Sequence, residues 1–341
     1  MQFSKKFLLA SVALALLLPA QAPLRAEPPA AEITPATQKA IRNGLTWLAK
    51  TQSSDGGWGD GGNNDVACTA LAGMAFLASG STPKRGPYAD NVSRAISFLL
   101  RRSDPTTGLI APSNGSLIHC HGYAMLFLGE VYGMEVLPEQ REKIRTVLKR
   151  AVKLTAESQS LAGGWFYSPG QQDDEGSTTV TQVEGLRACR NAGITVPIQT
   201  INKAIDYLKK SQNPDGSIRY KVSNPGGGTP ALTAAGLVCF YSLGLYDSDN
   251  VKQGLKFVSQ ALANGSLFAG HQFYTQLYAS QAFYLAGEPY WSTYWKQASK
   301  TLIQTQSTDG MWVGDVAPPF DTAVACIILQ IPYRYLPILQ K

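Results

Sequence analysis

Three histidines, at positions 119, 121 and 271, are the whole imidazole complement of this 341-residue chain. Imidazole changes charge near neutral pH, so it is the first side chain to weigh for proton transfer, anion binding or metal ligation. The carboxylates to set beside it are Asp65, Asp321 and the run Asp173-Asp174-Glu175. An acid held neutral by apolar surroundings can donate a proton, and a carboxylate beside imidazoles can grip a cation. Bland readings stand next to these: Asp65 and Asp321 also suit helix N-caps, and 173–175 also suits a solvated loop. Gly-x-Ser-x-Gly, P-loop and His-Glu-x-x-His signatures are absent. Any chemistry therefore depends on a fold that gathers scattered residues.

The elements that would gather them are marked by a recurring turn. Gln52-Ser-Ser-Asp-Gly-Gly-Trp58 returns as Gln159-Ser-Leu-Ala-Gly-Gly-Trp165 and as Gln306-Ser-Thr-Asp-Gly-Met-Trp312. Gln212-Asn-Pro-Asp-Gly-Ser-Ile218 keeps all but the Trp. Turns at Gly108 and Gly265 retain only turn chemistry, and the six glycines are spaced by 52, 55, 53, 49 and 45 residues. A period near 50 describes an array of one supersecondary unit. Within each period an amphipathic segment (34–52, 91–102, 139–157, 198–211, 250–263, 292–305) precedes one almost free of charge (from 65, then 119–132, 177–192, 230–244, 272–286, 321–330). An amphipathic helix faces solvent on one side, whereas one apolar all round is buried. Twelve helices in six outer–inner pairs predict an all-α fold, an (α/α)6 toroid. The Gly takes the positive φ that ends a helix, the Gln bonds orphan helix-end groups, and the Trp covers the junction. Gln52, Trp58, Gln159, Trp165, Gln212, Gln306 and Trp312 are thus structural.

In such a ring every inner helix runs the same way, so the inner N-termini meet at one mouth. Their positive ends favour anions or acidic caps. His119, His121 and His271 all fall there, with Asp173, Asp174 and Asp321 as acid candidates. Tyr123, Tyr274 and Tyr278 join the three histidines as candidate ligand-binding residues, Tyr274 and Tyr278 sharing a helix face at i, i+4. Ordinary core packing accounts for the same aromatics. No cofactor and no metal are expected, the lesser metal reading being His119 and His121 with Asp65.

The N-terminus reads as a signal peptide over 1–26, with Lys5-Lys6 before the apolar run 7–18, which is too short to span a membrane. Cleavage after Ala22 or Ala26 is compatible with the pattern. Residues 27–33 read as a tether and 34–341 as one toroid domain. Loss of Lys5, Lys6 and Arg25 lowers the formal charge from +6 to +3, so the basic balance gives no case for nucleic acid. The expected product is exported, periplasmic or secreted, with no transmembrane span. Five cysteines, an odd count in apolar segments, read as buried thiols, with one disulfide left open.

The turns resemble the QW repeats of squalene and hopene cyclases and the repeats of protein prenyltransferase β subunits. The resemblance covers essentially all of 34–341 and implies the α/α toroid of those enzymes and of thioester domains. Closest in kind are exported bacterial single-toroid proteins with prenyltransferase/squalene-oxidase repeats. The chemistries that the resemblance brings are mostly unmatched. Class II cyclisation uses Asp-x-Asp-Asp-Thr-Ala, and Pro318-Pro-Phe-Asp-Thr-Ala323 has Phe320 where the proton donor belongs. In the zinc site of the prenyltransferases, Thr275 of Phe273-Tyr274-Thr275 replaces the His, and 228–232 offers no Asp or Cys. Thioester Cys-Gly-x-Gln is missing. His119-Cys-His-Gly-Tyr123 resembles the stretch that helps hold diphosphate. The expectation is a binding module or scaffold for a hydrophobic, isoprenoid-like ligand or a protein partner. The alternative is a cyclase- or prenyltransferase-like enzyme, with Asp173, Asp174 or Asp321 as acid and His121 on phosphate.

Overall fold

Thr34 opens the first helix by accepting the amide of Thr37 through its hydroxyl at 3.1 Å, and Pro35 follows where a missing N–H costs nothing. A computed structural model describes residues 32–59, 64–112, 116–224 and 226–340. The expected signal peptide lies outside the described residues, as does most of the tether. The helices are α1 (Pro35–Thr51), α2 (Asp65–Ala78), α3 (Ala89–Arg101), α4 (Leu117–Tyr132), α5 (Pro138–Glu157) and α6 (Gly176–Asn191). They continue as α7 (Ile198–Ser211), α8 (Pro230–Ser242), α9 (Asp249–Ala263), α10 (Gln272–Ala286), α11 (Tyr290–Thr305) and α12 (Pro318–Gln330). Among the described residues there are no β-strands, only isolated bridges.

The even-numbered helices form a closed ring: α2 packs on α4, α4 on α6, and so on to α12, which returns to α2. The odd-numbered helices lie outside it, α3 against α2, α5 against α4 and α9 against α8. Composition dictates which layer a helix joins. Every residue of α2 is buried, whereas α5 buries one stripe: Ile144, Val147, Leu148, Ala151, Val152 and Thr155. The closest inner approach, α4 on α6, is permitted by glycine. A Cβ on Gly122 would lie 2.5 Å from the Thr181 backbone, and one on Gly185 would lie 2.9 Å from the Gly122 carbonyl oxygen. The architecture is the α/α toroid. All five cysteines are buried and none is in a disulfide, and no described helix is long and apolar enough to cross a membrane.

Four of the turns join an outer helix to the next outer helix as well as to its own inner partner. Gln159 Nε2 donates to Gly163 O at 2.8 Å and to Thr200 O, at the start of α7, at 3.0 Å. Gln52 does the same to Gly56 O and Asn91 O, and Gln212 to Gly216 O and Asn250 O. Gln306 reaches Gly310 O and Ala40 O, both at 2.9 Å, so the last outer helix is tied to the first. Trp165 Nε1 donates to Thr155 O at 2.8 Å, and Trp58 and Trp312 repeat this bond on Leu48 O and Leu302 O. Gly163 sits at φ 100°, and a Cβ there would meet Lys203 O at 2.3 Å. Only glycine fits.

A fourth residue completes the turn, and sequence reading did not find it. The Trp58, Trp165, Ile218 and Trp312 amides donate to the hydroxyls of Thr69, Thr179, Thr233 and Thr322 on the following inner helices. The intervals to those threonines are 11, 14, 15 and 10 residues. Such variable loop lengths hide the pairing from a fixed-spacing search.

Candidate functional site

The ring has one mouth built by inner-helix N-termini, and a cavity of about 450 Å³ opens there. His119, Cys120 and Tyr123 of α4 line it with Glu175 and Ser177 at the start of α6, Leu232 of α8 and Phe320 of α12. His271 and Tyr274 close the side nearest α10, and Tyr167, Tyr220 and Val316 stand at the rim. The lining is mostly apolar; Ser116 and His119 meet Glu175 and Ser177 on the α4–α6 wall, and Asn64, Thr229 and His271 stand at other helix starts. The opposite end is crossed by residues 331–340, where the Ile338 amide donates to Glu130 Oε2 at 3.3 Å and Arg187 Nη2 donates to Gln340 O at 2.9 Å.

His119 stands at the centre of the α4–α6 wall. Its Nδ1 lies 2.6 Å from Ser116 Oγ and its Nε2 lies 2.9 Å from Ser177 Oγ. Burial pushes its pKa down to about 4, so the ring is neutral at physiological pH. Glu175 is the N-cap of α6 and accepts the Ser177 and Thr178 amides, both at 2.9 Å, and the Ser177 hydroxyl. Burial raises its carboxyl above the usual range in spite of those bonds.

Aromatics form the deeper part. The Tyr123 and Tyr278 hydroxyls are 2.9 Å apart, Tyr123 meets Phe320 edge-on at 6.3 Å, and Tyr274 meets Tyr278 at 4.8 Å. The Tyr274 hydroxyl has no hydrogen-bond partner. Glu184 of α6 lies close enough to raise the pKa of all three tyrosines through its charge. Neither Glu184 oxygen has a close partner, and burial pushes its carboxyl up to about 8 against the pull of Gln281.

Of the expected ligand-binding residues, the structure brings His119, Tyr123, His271 and Tyr274 to the cavity. Tyr278 lies behind Tyr123. His121 points elsewhere: its Nδ1 accepts the Ile110 amide at 3.0 Å, the bond that a threonine hydroxyl accepts in four other turns. It is fully buried, 3.2 Å from Thr155 Oγ1, and is pushed down to about 4. The acid candidates separate as well. Asp173 faces outward onto Lys221, which holds its carboxyl below the usual range, and Asp174 accepts the Val222 amide at 3.0 Å. Asp321 is buried beside the lining residue Phe320. Its Oδ2 accepts the Gly314 amide at 2.8 Å, Oδ1 is unpartnered, and burial raises the carboxyl to about 6.

Neither Asp65 nor Asp321 is an N-cap. Asn64 and Ala317 hold those positions; Asp65 pairs with Arg102, and Asp321 lies in the first turn of α12 after Pro318-Pro319. The cavity carboxylate is Glu175, the third member of the run. The signal for it was Glu-Gly-Ser-Thr-Thr, a capping side chain ahead of a helix. Among the described residues, no group of three His, Cys, Asp or Glu is placed to hold a metal ion.

No family model matches the chain. It is similar to drimenyl diphosphate synthase of Streptantibioticus cattleyicolor, 24% identical over 192 residues, 55% of this chain and 34% of that protein. It is also similar to a terpene cyclase–glycosyl transferase fusion protein of Humicola fuscoatra, 25% identical over 178 residues, 52% of this chain and 11% of that protein. The chain thus matches about a third or less of these relatives' lengths. Among solved structures, the type II terpene cyclase MstE from Scytonema, in complex with geranylgeranyl dihydroxybenzoate, has TM-score 0.58 at 14% identity, covering 88% of this chain and 98% of that one. The α-1,6-mannanase GH76A of a Salegentibacter species has TM-score 0.65 at 10% identity, covering 87% and 99%. What these structures share with this chain is the fold, the α/α toroid.

Proposed function

We propose that the protein binds an apolar, isoprenoid-like molecule in the cavity at the mouth of its ring. The carrying observation is the cavity itself. A space of about 450 Å³ falls within the range of small-molecule sites, about 300–1,000 Å³. Tyr123, Leu232, Tyr274 and Phe320 supply apolar walls, and His119, Glu175, Ser177 and His271 orient a polar end. On this reading residues 1–26 export the chain, 27–33 tether it, and 34–341 is one toroid whose QW-type turns are scaffold. The test is mass spectrometry of organic extracts from the purified protein, with a thermal-shift series of linear isoprenols. A co-purified isoprenoid, or stabilisation that grows with chain length and falls in Phe320→Ala, supports the reading. An empty extract together with a flat series overturns it.

Asp321 favours a second reading, an enzyme acting on such a ligand. A carboxyl raised to about 6, with one oxygen unpartnered, is the state required of a proton donor to an alkene. Isomeric products formed from a linear isoprenoid, and absent with Asp321→Asn, support it. Unchanged substrate after prolonged incubation removes it.

A further inference from the structure

Four side chains on the α4–α6 wall are joined end to end, and two of them come from outside the cap of α6. Ser116 Oγ contacts His119 Nδ1, His119 Nε2 contacts Ser177 Oγ, and the Ser177 hydroxyl contacts Glu175 Oε2. All four residues border the cavity. Capping alone does not require this chain, because Glu175 by itself accepts the Ser177 and Thr178 amides. His119 arrives from α4, 58 positions away in sequence. With the Ser177 hydrogen on Glu175, the Nε2 proton is donated to Ser177 Oγ and Nδ1 accepts from Ser116; in the other tautomer Nδ1 donates to Ser116 and the Nε2 lone pair faces Ser177 Oγ. A hydroxyl within hydrogen-bond reach of an imidazole that a third group orients is the arrangement of an activated nucleophile.

We propose that Ser177 is a nucleophile, with His119 as its base, for acyl transfer from carboxylic esters whose apolar part occupies the cavity. Ser177 Oγ bonds to the ester carbonyl carbon as its proton passes to His119 Nε2. The carbon–oxygen bond to the leaving alcohol then breaks, and that oxygen takes the proton from His119. Water repeats the sequence on the acyl-serine, releasing the acid and returning the proton to Ser177. Tyr167 and Tyr220 meet hydroxyl to hydroxyl at the rim, so one of their two hydrogens is left for the carbonyl oxygen, the amides of Ser177 and Thr178 being occupied by Glu175. The resting Ser177 hydroxyl points to Glu175. Turning its hydrogen to His119 goes with a shift of the imidazole proton from Nε2 to Nδ1 and needs no movement of heavy atoms. The serine chemistry stands apart from the cavity's ligand preference, and only the choice of ester rests on that earlier reading.

The full chain is treated with diisopropyl fluorophosphate, which needs no apolar pocket, and with a long-chain alkyl fluorophosphonate, and adducts are located by peptide mass spectrometry. One adduct at Ser177 is expected from each reagent, diisopropylphosphoryl from the first and alkylphosphonyl from the second. His119→Gln should slow labelling by about 100-fold or more, Ser116→Ala should slow it less, and Ser177→Ala should abolish it. Because burial keeps His119 neutral, labelling should hold its rate as the pH falls below 6.5, the ordinary imidazole value. Absence of adduct at Ser177 in the unaltered protein overturns the proposal. So does labelling that Gln at 119 leaves unchanged while the melting temperature matches the parent. Labelling of Ser177 by both reagents at equal rates would keep the nucleophile and remove the apolar-ligand reading of the cavity.

Discussion

The Gln, Trp and Thr side chains of the turns are bonded to backbone, whereas several polar groups nearer the ring axis, like Ser160 and Ser307 within the turns, are not. In the turns, the Gln159 amide, the Trp165 indole and the Thr179 hydroxyl each meet a backbone partner at 2.8–3.1 Å. Around the lumen, the Tyr274 hydroxyl, Asp321 Oδ1 and both Glu184 oxygens lack close partners. A buried polar group left unpaired costs about 1–3 kcal/mol, so the lumen is a standing loss that a well-bonded rim offsets. The contrast separates the side chains that build the turns from the Tyr274 hydroxyl, the unpartnered group among these that belongs to a cavity-lining residue. His121 and His119 show it at close range. The first replaces a threonine in a turn, and the second faces the cavity.

The sharpest way to break this contrast is to empty a turn. Trp165→Ala should lower unfolding free energy by about 3–5 kcal/mol, read by chemical denaturation; a loss below 1 kcal/mol would mean that the turns are not what holds the ring. Next comes the glycine pair. Gly163→Ala forces a side chain to φ 100° and toward Lys203 O, whereas a Cβ on Gly265 meets open space. The first should cost about 2–4 kcal/mol and the second about 1 kcal/mol, so equal losses would remove the distinction between intact and degraded turns. Third, Gln159→Leu should cost about 1–3 kcal/mol, while Tyr274→Phe should leave stability unchanged or raise it by up to about 1 kcal/mol, as shown by paired melts.

The smallest effect is a pH slope. The Glu184 carboxyl sits at about 8 in the folded chain against an ordinary 4.5, so the folded state keeps a proton that the unfolded state releases. Its contribution is complete below about 4.5 and is lost as the pH rises through about 8. Glu184→Gln should therefore flatten the decline in melting temperature over that window. An unchanged slope would place the buried proton elsewhere.

The helices were legible in the sequence because layer and composition coincide. Uncharged segments became α2, α4, α8 and α10 within a few residues of where they were expected, since burial on every side tolerates little charge. Start sites were less legible. Pro318-Pro319 began α12 early and drew Asp321 from an expected cap into the first turn. The mouth was readable as a place and not as a set. His119 and His121 have the same residue type two positions apart, and helix geometry turns them about 200° from one another. Nor does sequence separate Asp173, Asp174 and Glu175. Only the last has its backbone at the N-cap, where its oxygens turn to the helix end and the cavity.

One bond described above has a mechanical meaning. Between the last repeat and the first the ring is closed without a peptide connection, by Gln306 on Ala40 O, by Gly310 against Asn43, by Trp312 against Gly44, by Gln330 on Ala75 O and by the packing of α12 on α1 and α2. Every other neighbouring pair of repeats is also joined by covalent chain. This junction is the seam of the hoop, where opposed forces on the two flanking helices would part the molecule first, and a permuted chain that carried its break elsewhere would move that point of rupture with it.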